Sequence, residues 1–130
     1  MIELRSDALE AYRRLLDLYV TEKSWQEAAD CAQMLLRSGE PDAQIIYSQC
    51  LCEVAEQAIH SANNRLARKS LDKALEVDPR SVRASLLLID LLLGSDKPAA
   101  AKRIFQRLTR ESPEYMELYI DPARRLYPGK

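Results

Sequence analysis

At 130 residues the chain is one domain's worth of sequence, long enough to bury a core. Three glycines and six prolines, among abundant Leu, Ala, Glu and Arg, favour helices with short turns over a hairpin-rich sheet. Nineteen basic and twenty acidic residues are interspersed to a net charge of −1, so no global field recruits nucleic acid or an anionic membrane.

Taken in order, Met1-Ile2-Glu3-Leu4-Arg5-Ser6 is charged at once and lacks the apolar stretch of a secretory signal. Asp7-x-x-Glu10 has capping-box spacing, and Leu9, Tyr12, Leu15, Leu16 and Tyr19 carry a helical period, predicting a helix over 7–21. Ser24-x-x-Glu27 repeats the cap before a helix over 25–38, which Gly39 ends as a left-handed residue and Pro41 keeps from continuing. Helices over 42–60 and 64–77 follow, and Asp78-Pro79-Arg80-Ser81 forms the turn into the next, 81–94. The longest apolar run, Leu86 to Leu93, is broken by Asp90 and falls far short of the roughly 20 residues that span a bilayer. A sixth helix covers 97–111. Ser112-Pro113 then supplies a cap and a first-turn proline for a seventh, 113–126, interrupted by Pro122.

These helices repeat. The second, fourth and sixth each carry an early alanine, Ala28, Ala67 and Ala101, spaced 39 and then 34 residues apart. Each ends at a proline, Pro41, Pro79 and Pro113, spaced 38 and 34. The preceding helices carry Tyr12-x2-Leu15-Leu16-x2-Tyr19, Leu51-x2-Val54-Ala55-x2-Ala58 and Ser85-x2-Leu88-Ile89-x2-Leu92. Ala101-x3-Phe105 completes the pattern. This is the register of the tetratricopeptide repeat, W-x2-L-G-x2-Y, then A-x3-F, then P, with a period of about 34. The expected fold is an all-α, right-handed solenoid of seven helices. Three helix-turn-helix repeats fall at about 7–41, 42–79 and 80–113, with a terminal helix over 114–127. The long third helix accounts for the 39-residue spacing. The first helix shows an internal apolar face and the last segment looks like half a pair, so the chain reads as one domain cut from a longer array. Weak self-association through Leu9, Tyr12 or Tyr19 follows from that reading.

Catalysis finds no foothold. The lone histidine, His60, sits at a helix end without an orienting carboxylate, and the glycines are isolated. Cys31, Cys50 and Cys52 stand in no metal-ligand spacing, so neither a metal nor a cofactor is expected, and reduced helical thiols suit the cytoplasm. The clusters Arg65, Arg68, Lys69, Lys73 and Lys102, Arg103, Arg107, Arg110 lack interleaved aromatics and read as a solvated convex face.

The first helix of each pair lines the concave side of such a stack, and one residue on from its core stripe comes a groove-facing stripe. In the first pair this is Glu10, Arg13, Asp17 and Val20; in the second, Gln49, Cys52, Glu56 and Ile59; in the third, Arg83, Leu86, Asp90 and Leu93. Asp17, Glu56 and Asp90 form an expected acidic ladder beside the apolar rungs Val20, Ile59 and Leu93. The expected partner is a protein or peptide segment in this groove. Chaperone-tail clamps use Lys and Asn there, so that partner class is disfavoured.

A closer resemblance runs through Ala8 to Tyr19, Ser24-Trp25-Gln26-Glu27-Ala28-Ala29-Asp30, Cys52-Glu53-Val54-Ala55, Ser70-Leu71-Asp72-Lys73-Ala74 and Asp78-Pro79-Arg80-Ser81-Val82-Arg83. These stretches resemble the middle repeats of the lipopolysaccharide assembly protein B (LapB) family. The resemblance implies cytosolic repeats behind an inner-membrane anchor and ahead of a rubredoxin-like zinc module. It also implies an adaptor that presents the deacetylase LpxC to the protease FtsH. The anchor and the C-x-x-C pairs of the zinc module are not in this segment, so only the scaffold part of that role is expected here. The alternative is an adaptor of pilus assembly or secretion in the periplasm.

Overall fold

The computed structural model describes residues 5–129. Its helices are α1 (Ser6–Glu22), α2 (Trp25–Arg37), α3 (Ala43–His60), α4 (Asn64–Val77), α5 (Val82–Gly94) and α6 (Pro98–Glu111). A 3₁₀ segment (Pro113–Tyr119) and α7 (Ile120–Leu126) close the order, and no strand occurs among the described residues. Helices α1, α3 and α5 open their pairs and are termed A helices; α2, α4 and α6 are the B helices.

Each A-to-B turn closes the same way. Lys23, Ala62 and Asp96 take left-handed backbone with φ of 60°, 57° and 57°. Each stands five residues before Ala28, Ala67 or Ala101. After α1, Lys23 N–H donates to the Val20 carbonyl at 3.1 Å and Ser24 N–H to Tyr19 at 2.8 Å. Ala62 and Asn63, and Asp96 and Lys97, make the same pair of bonds after α3 and α5. Orphan carbonyls at each helix end are thereby satisfied, and the chain reverses within three residues. At Gly39 (φ 78°) the same closure ends α2, with Glu40 N–H on the Leu35 carbonyl at 3.0 Å.

The turns deliver a small residue to every A–B contact. Ala28, Ala67 and Ala101 are all fully buried, at 0% exposure. Leu71 and Ile89 are the largest side chains enclosed around them, and Leu16, Leu35, Leu51, Leu88 and Leu92 extend the same core. Helix α3, at 18 residues, is five longer than α5, at 13, which accounts for the first repeat spacing. Its extra turns are tied to α4 by Gln44 Nε2 donating to the Val77 carbonyl at 2.5 Å and Ser48 Oγ to Ala74 at 3.4 Å.

Consecutive helices pack on one another, and α3 also lies against α5, and α5 against α7. No such contact joins α2 to α4 or α4 to α6 among the described residues. Between the last two pairs the A side is the more closely spaced, so α3 and α5 line the concave face, while α1 makes no such contact with α3 among the described residues.

Several local expectations are corrected. Helix α1 begins at Ser6, and Asp7 Oδ1 accepts from Ala8 N–H at 3.0 Å instead of building a capping box. Ser24 is the N-cap of α2, but its side chain makes no capping bond. Side-chain caps occur at Asn63, accepting from Leu66 N–H at 3.3 Å, and at Ser81, accepting from Ala84 N–H at 3.1 Å. Pro122 does not interrupt α7: it lies in the first turn, where no N–H is needed. The break comes earlier, at Tyr115, whose φ of −100° and ψ of 34° leave the helical region. On α1, Leu9, Tyr12 and Tyr19 are partly buried against the core, whereas Leu15, Leu18 and Val20 are the exposed apolar residues.

Candidate functional site

The concave face holds one groove of about 750 Å³, between α3, α5 and the 3₁₀ segment. Gln49 and Cys52 enter it from α3, and Arg83, Leu86 and Asp90 from α5, all on the expected stripe. Ile45, Leu87, Tyr115 and Leu118 complete an apolar lining that the stripe did not include. Ile45 sits four residues before Gln49, so extending the stripe by one turn would have found it. Leu118 lies on 3₁₀ backbone and Tyr115 at the kink within that segment, where α-helical spacing gives no signal.

The remaining stripe residues are not brought into this groove. Helix α1 makes no helix contact with α3, so Arg13, Asp17 and Val20 stand apart from it. Ile59 and Leu93 are partly buried and pack against the core. Cys52 is 1% exposed and forms floor, not an accessible contact.

Charge on this face is largely compensated within the fold. Arg83 Nη2 donates to Glu53 Oε2 at 3.0 Å and to Glu56 Oε1 at 3.2 Å, across 30 and 27 residues of sequence. Burial opposes the Arg83 charge, but hydrogen bonds to the two carboxylates outweigh it and raise the guanidinium pKa. Arg125 of α7 bonds Asp90 in the same manner. Arg13 reaches Glu40 at 2.6 Å and Glu10 at 3.6 Å, not Asp17. The hydrogen bond and charge of Glu40 raise its pKa as well. Two rungs of the expected acidic ladder, Glu56 and Asp90, are thus bound by arginines of the following A-side helix.

His60 Nδ1 donates to the Glu56 carbonyl at 2.9 Å and serves its own helix end. Burial pushes the Cys50 and Cys52 thiols up to about 11 and raises Cys31. A thiolate is the reactive form, so the native thiols should be inert to a thiol reagent at about pH 8 and all react after denaturation. Because the folded values lie above the ordinary 9.0, this contribution to stability is complete below that pH. It should be lost as pH rises toward about 11, which denaturant melts across that window would measure.

Paired antiparallel helices in register, small residues at each A–B contact and a lined concave face define a tetratricopeptide-repeat solenoid. The family model described as "Tetratricopeptide repeat" matches residues 58–119. The chain resembles lipopolysaccharide assembly protein B. It is 31% identical to that protein of Haemophilus influenzae over 117 residues, 90% of this chain and 29% of the relative. The Escherichia coli K12 protein of the same name is 25% identical, over 90% of this chain and 30% of the relative. The chain therefore spans less than a third of the length of these relatives. No helix among the described residues is long and apolar enough to cross a membrane.

Proposed function

We propose that the chain is a protein-interaction scaffold in the regulation of lipopolysaccharide assembly, acting on the cytoplasmic side through its concave groove. One observation carries the reading: Ile45, Tyr115 and Leu118, exposed at 53%, 46% and 52%, converge with Leu86 and Leu87 on a single groove. An apolar cluster of that kind, held open on rigid helices, is the signature of a docking site. The relatives' name supplies the process, and the resemblance supplies the partner: a segment of LpxC, held for presentation to FtsH. Since Arg83 and Arg125 neutralise Glu56 and Asp90, apolar contact supplies most of the affinity, and the salt dependence is shallow.

The test is calorimetric titration of purified LpxC into the wild-type chain and into an Ile45→Asp/Leu118→Asp variant. Both positions are exposed, so the variant keeps its fold. Binding is expected to weaken by tenfold or more, about 1.4 kcal/mol, while Asp17→Lys changes it little. Equal affinity in the apolar variant would move the site out of this groove. No binding by the wild type would remove LpxC as the partner.

A further inference from the structure

The near-zero net charge conceals a separation across the stack. Helix α3 carries Glu53 and Glu56 and no Lys or Arg, and α1 sets Asp7, Glu10, Asp17 and Glu22 against Arg13 and Arg14. On the B side, α4 carries Arg65, Arg68, Lys69 and Lys73 against Asp72 and Glu76. With Lys102, Arg103, Arg107 and Arg110 on α6, the α4 and α6 part of the B side is electropositive, whereas α2 sets Glu27 and Asp30 against Arg37.

That side also has a groove of its own, about 850 Å³, where α2 and α4 do not touch and α3 forms the floor. Arg68 is held by Asp72 at 3.0 Å and Lys73 by Glu76 at 3.4 Å. Arg65 and Lys69, one helical turn apart on the groove wall, make no ion pair among the described residues. Between the helices lies Tyr47, 6% exposed, which lines the groove with its hydroxyl open to solvent there. Gln26 and Gln33 stand on the facing wall of α2.

Two cations without an ion pair among the described residues and a solvent-open hydroxyl converge on one recess, and carboxylates are the groups that answer all three. We infer that this convex groove is a second docking site, taking an acidic segment of a protein partner. Carboxylates about one helical turn apart meet Arg65 and Lys69, and an acceptor reaches down to Tyr47. The amide of Gln33 suits the backbone of such a segment, while Gln26 Nε2 already donates to Asp30 Oδ1 at 3.3 Å. An anionic bilayer fits less well, because a flat surface cannot reach a donor between two helices; Asp30, Asp72 and Glu76 around the groove act on either kind of anion. This site is independent of the concave reading, because none of its residues lines that groove.

Fluorescence anisotropy with a labelled polyglutamate peptide at low salt tests the assignment, with phosphatidylglycerol vesicles as the second arm. The wild-type chain should bind the peptide saturably. Arg65→Glu/Lys69→Glu should weaken it by about tenfold or more, and Tyr47→Phe by roughly threefold, with unchanged circular dichroism. Arg103→Glu/Arg110→Glu on α6 should change it by less than about twofold, since diffuse charge alone would respond equally to either pair. Absence of saturable binding, equal loss from both reversals, or an unchanged Tyr47→Phe would each overturn the inference. So would tighter binding to the vesicles than to the peptide.

Discussion

Replacing Phe105 by alanine is expected to destabilise the chain by about 3–5 kcal/mol and to open the concave groove along one wall. Phe105, 8% exposed, stands edge-on to Tyr119 with ring centroids 6.0 Å apart and planes at 81°. It also meets Tyr127 at 6.3 Å and 56°, and Lys102 Nζ lies 5.1 Å over that ring. Tyr119 is 2% exposed, and its hydroxyl donates to the Ser112 carbonyl at 2.5 Å. These contacts dock the 3₁₀ segment and α7 onto α6, and the 3₁₀ segment carries Tyr115 and Leu118 to the groove. Denaturant melts would measure the loss, and hydrogen exchange should show residues 113–126 opening first. Tyr119→Phe keeps the ring and loses one bond, at an expected cost of about 1 kcal/mol. A melt unchanged by Phe105→Ala, or exchange that opens elsewhere first, would mean that the aromatic cluster does not hold the end in place.

Enlarging Ala67 to leucine is expected to cost about 1–3 kcal/mol. Ala67 has 0% exposure where α3 and α4 cross, and close packing leaves no volume for three more carbons. Either the side chain leaves its preferred rotamer or the helices separate. Ala99→Leu on the exposed start of α6 makes the comparison, since it adds the same atoms in solvent and should stay within about 0.5 kcal/mol of wild type. Equal midpoints for both variants would show that the A–B contact tolerates a large residue, contrary to the register.

The helices and their pairing were legible because their signals are local and repeated. A 3.6-residue apolar period, a small residue at each crossing and a proline after each B helix depend on nearest neighbours along the chain. The same register predicted the third helix to be long, and it is. Capping was less legible. Asp7 and Ser24 have the right spacing, but a cap forms only where the entering backbone aims the side chain at an unpaired N–H. That occurs at Asn63 and Ser81.

For the groove, the stripe read from α3 and α5 identified Gln49, Cys52, Arg83, Leu86 and Asp90 as neighbours. It could not tell that Cys52 is floor, or that Tyr115 and Leu118 make the opposite wall from a segment with a different helical pitch. Nor could it assign the charges. Glu56 pairs with Arg83 and Asp90 with Arg125, 27 and 35 residues away. What the sequence by itself determined is the repeat: periodicity and steric fit at each crossing are properties of short stretches, and they specify the solenoid. Which side chains share a groove, and which charges are left unpaired, was decided only by tertiary structure. Those depend on distances between helices that chain separation does not encode.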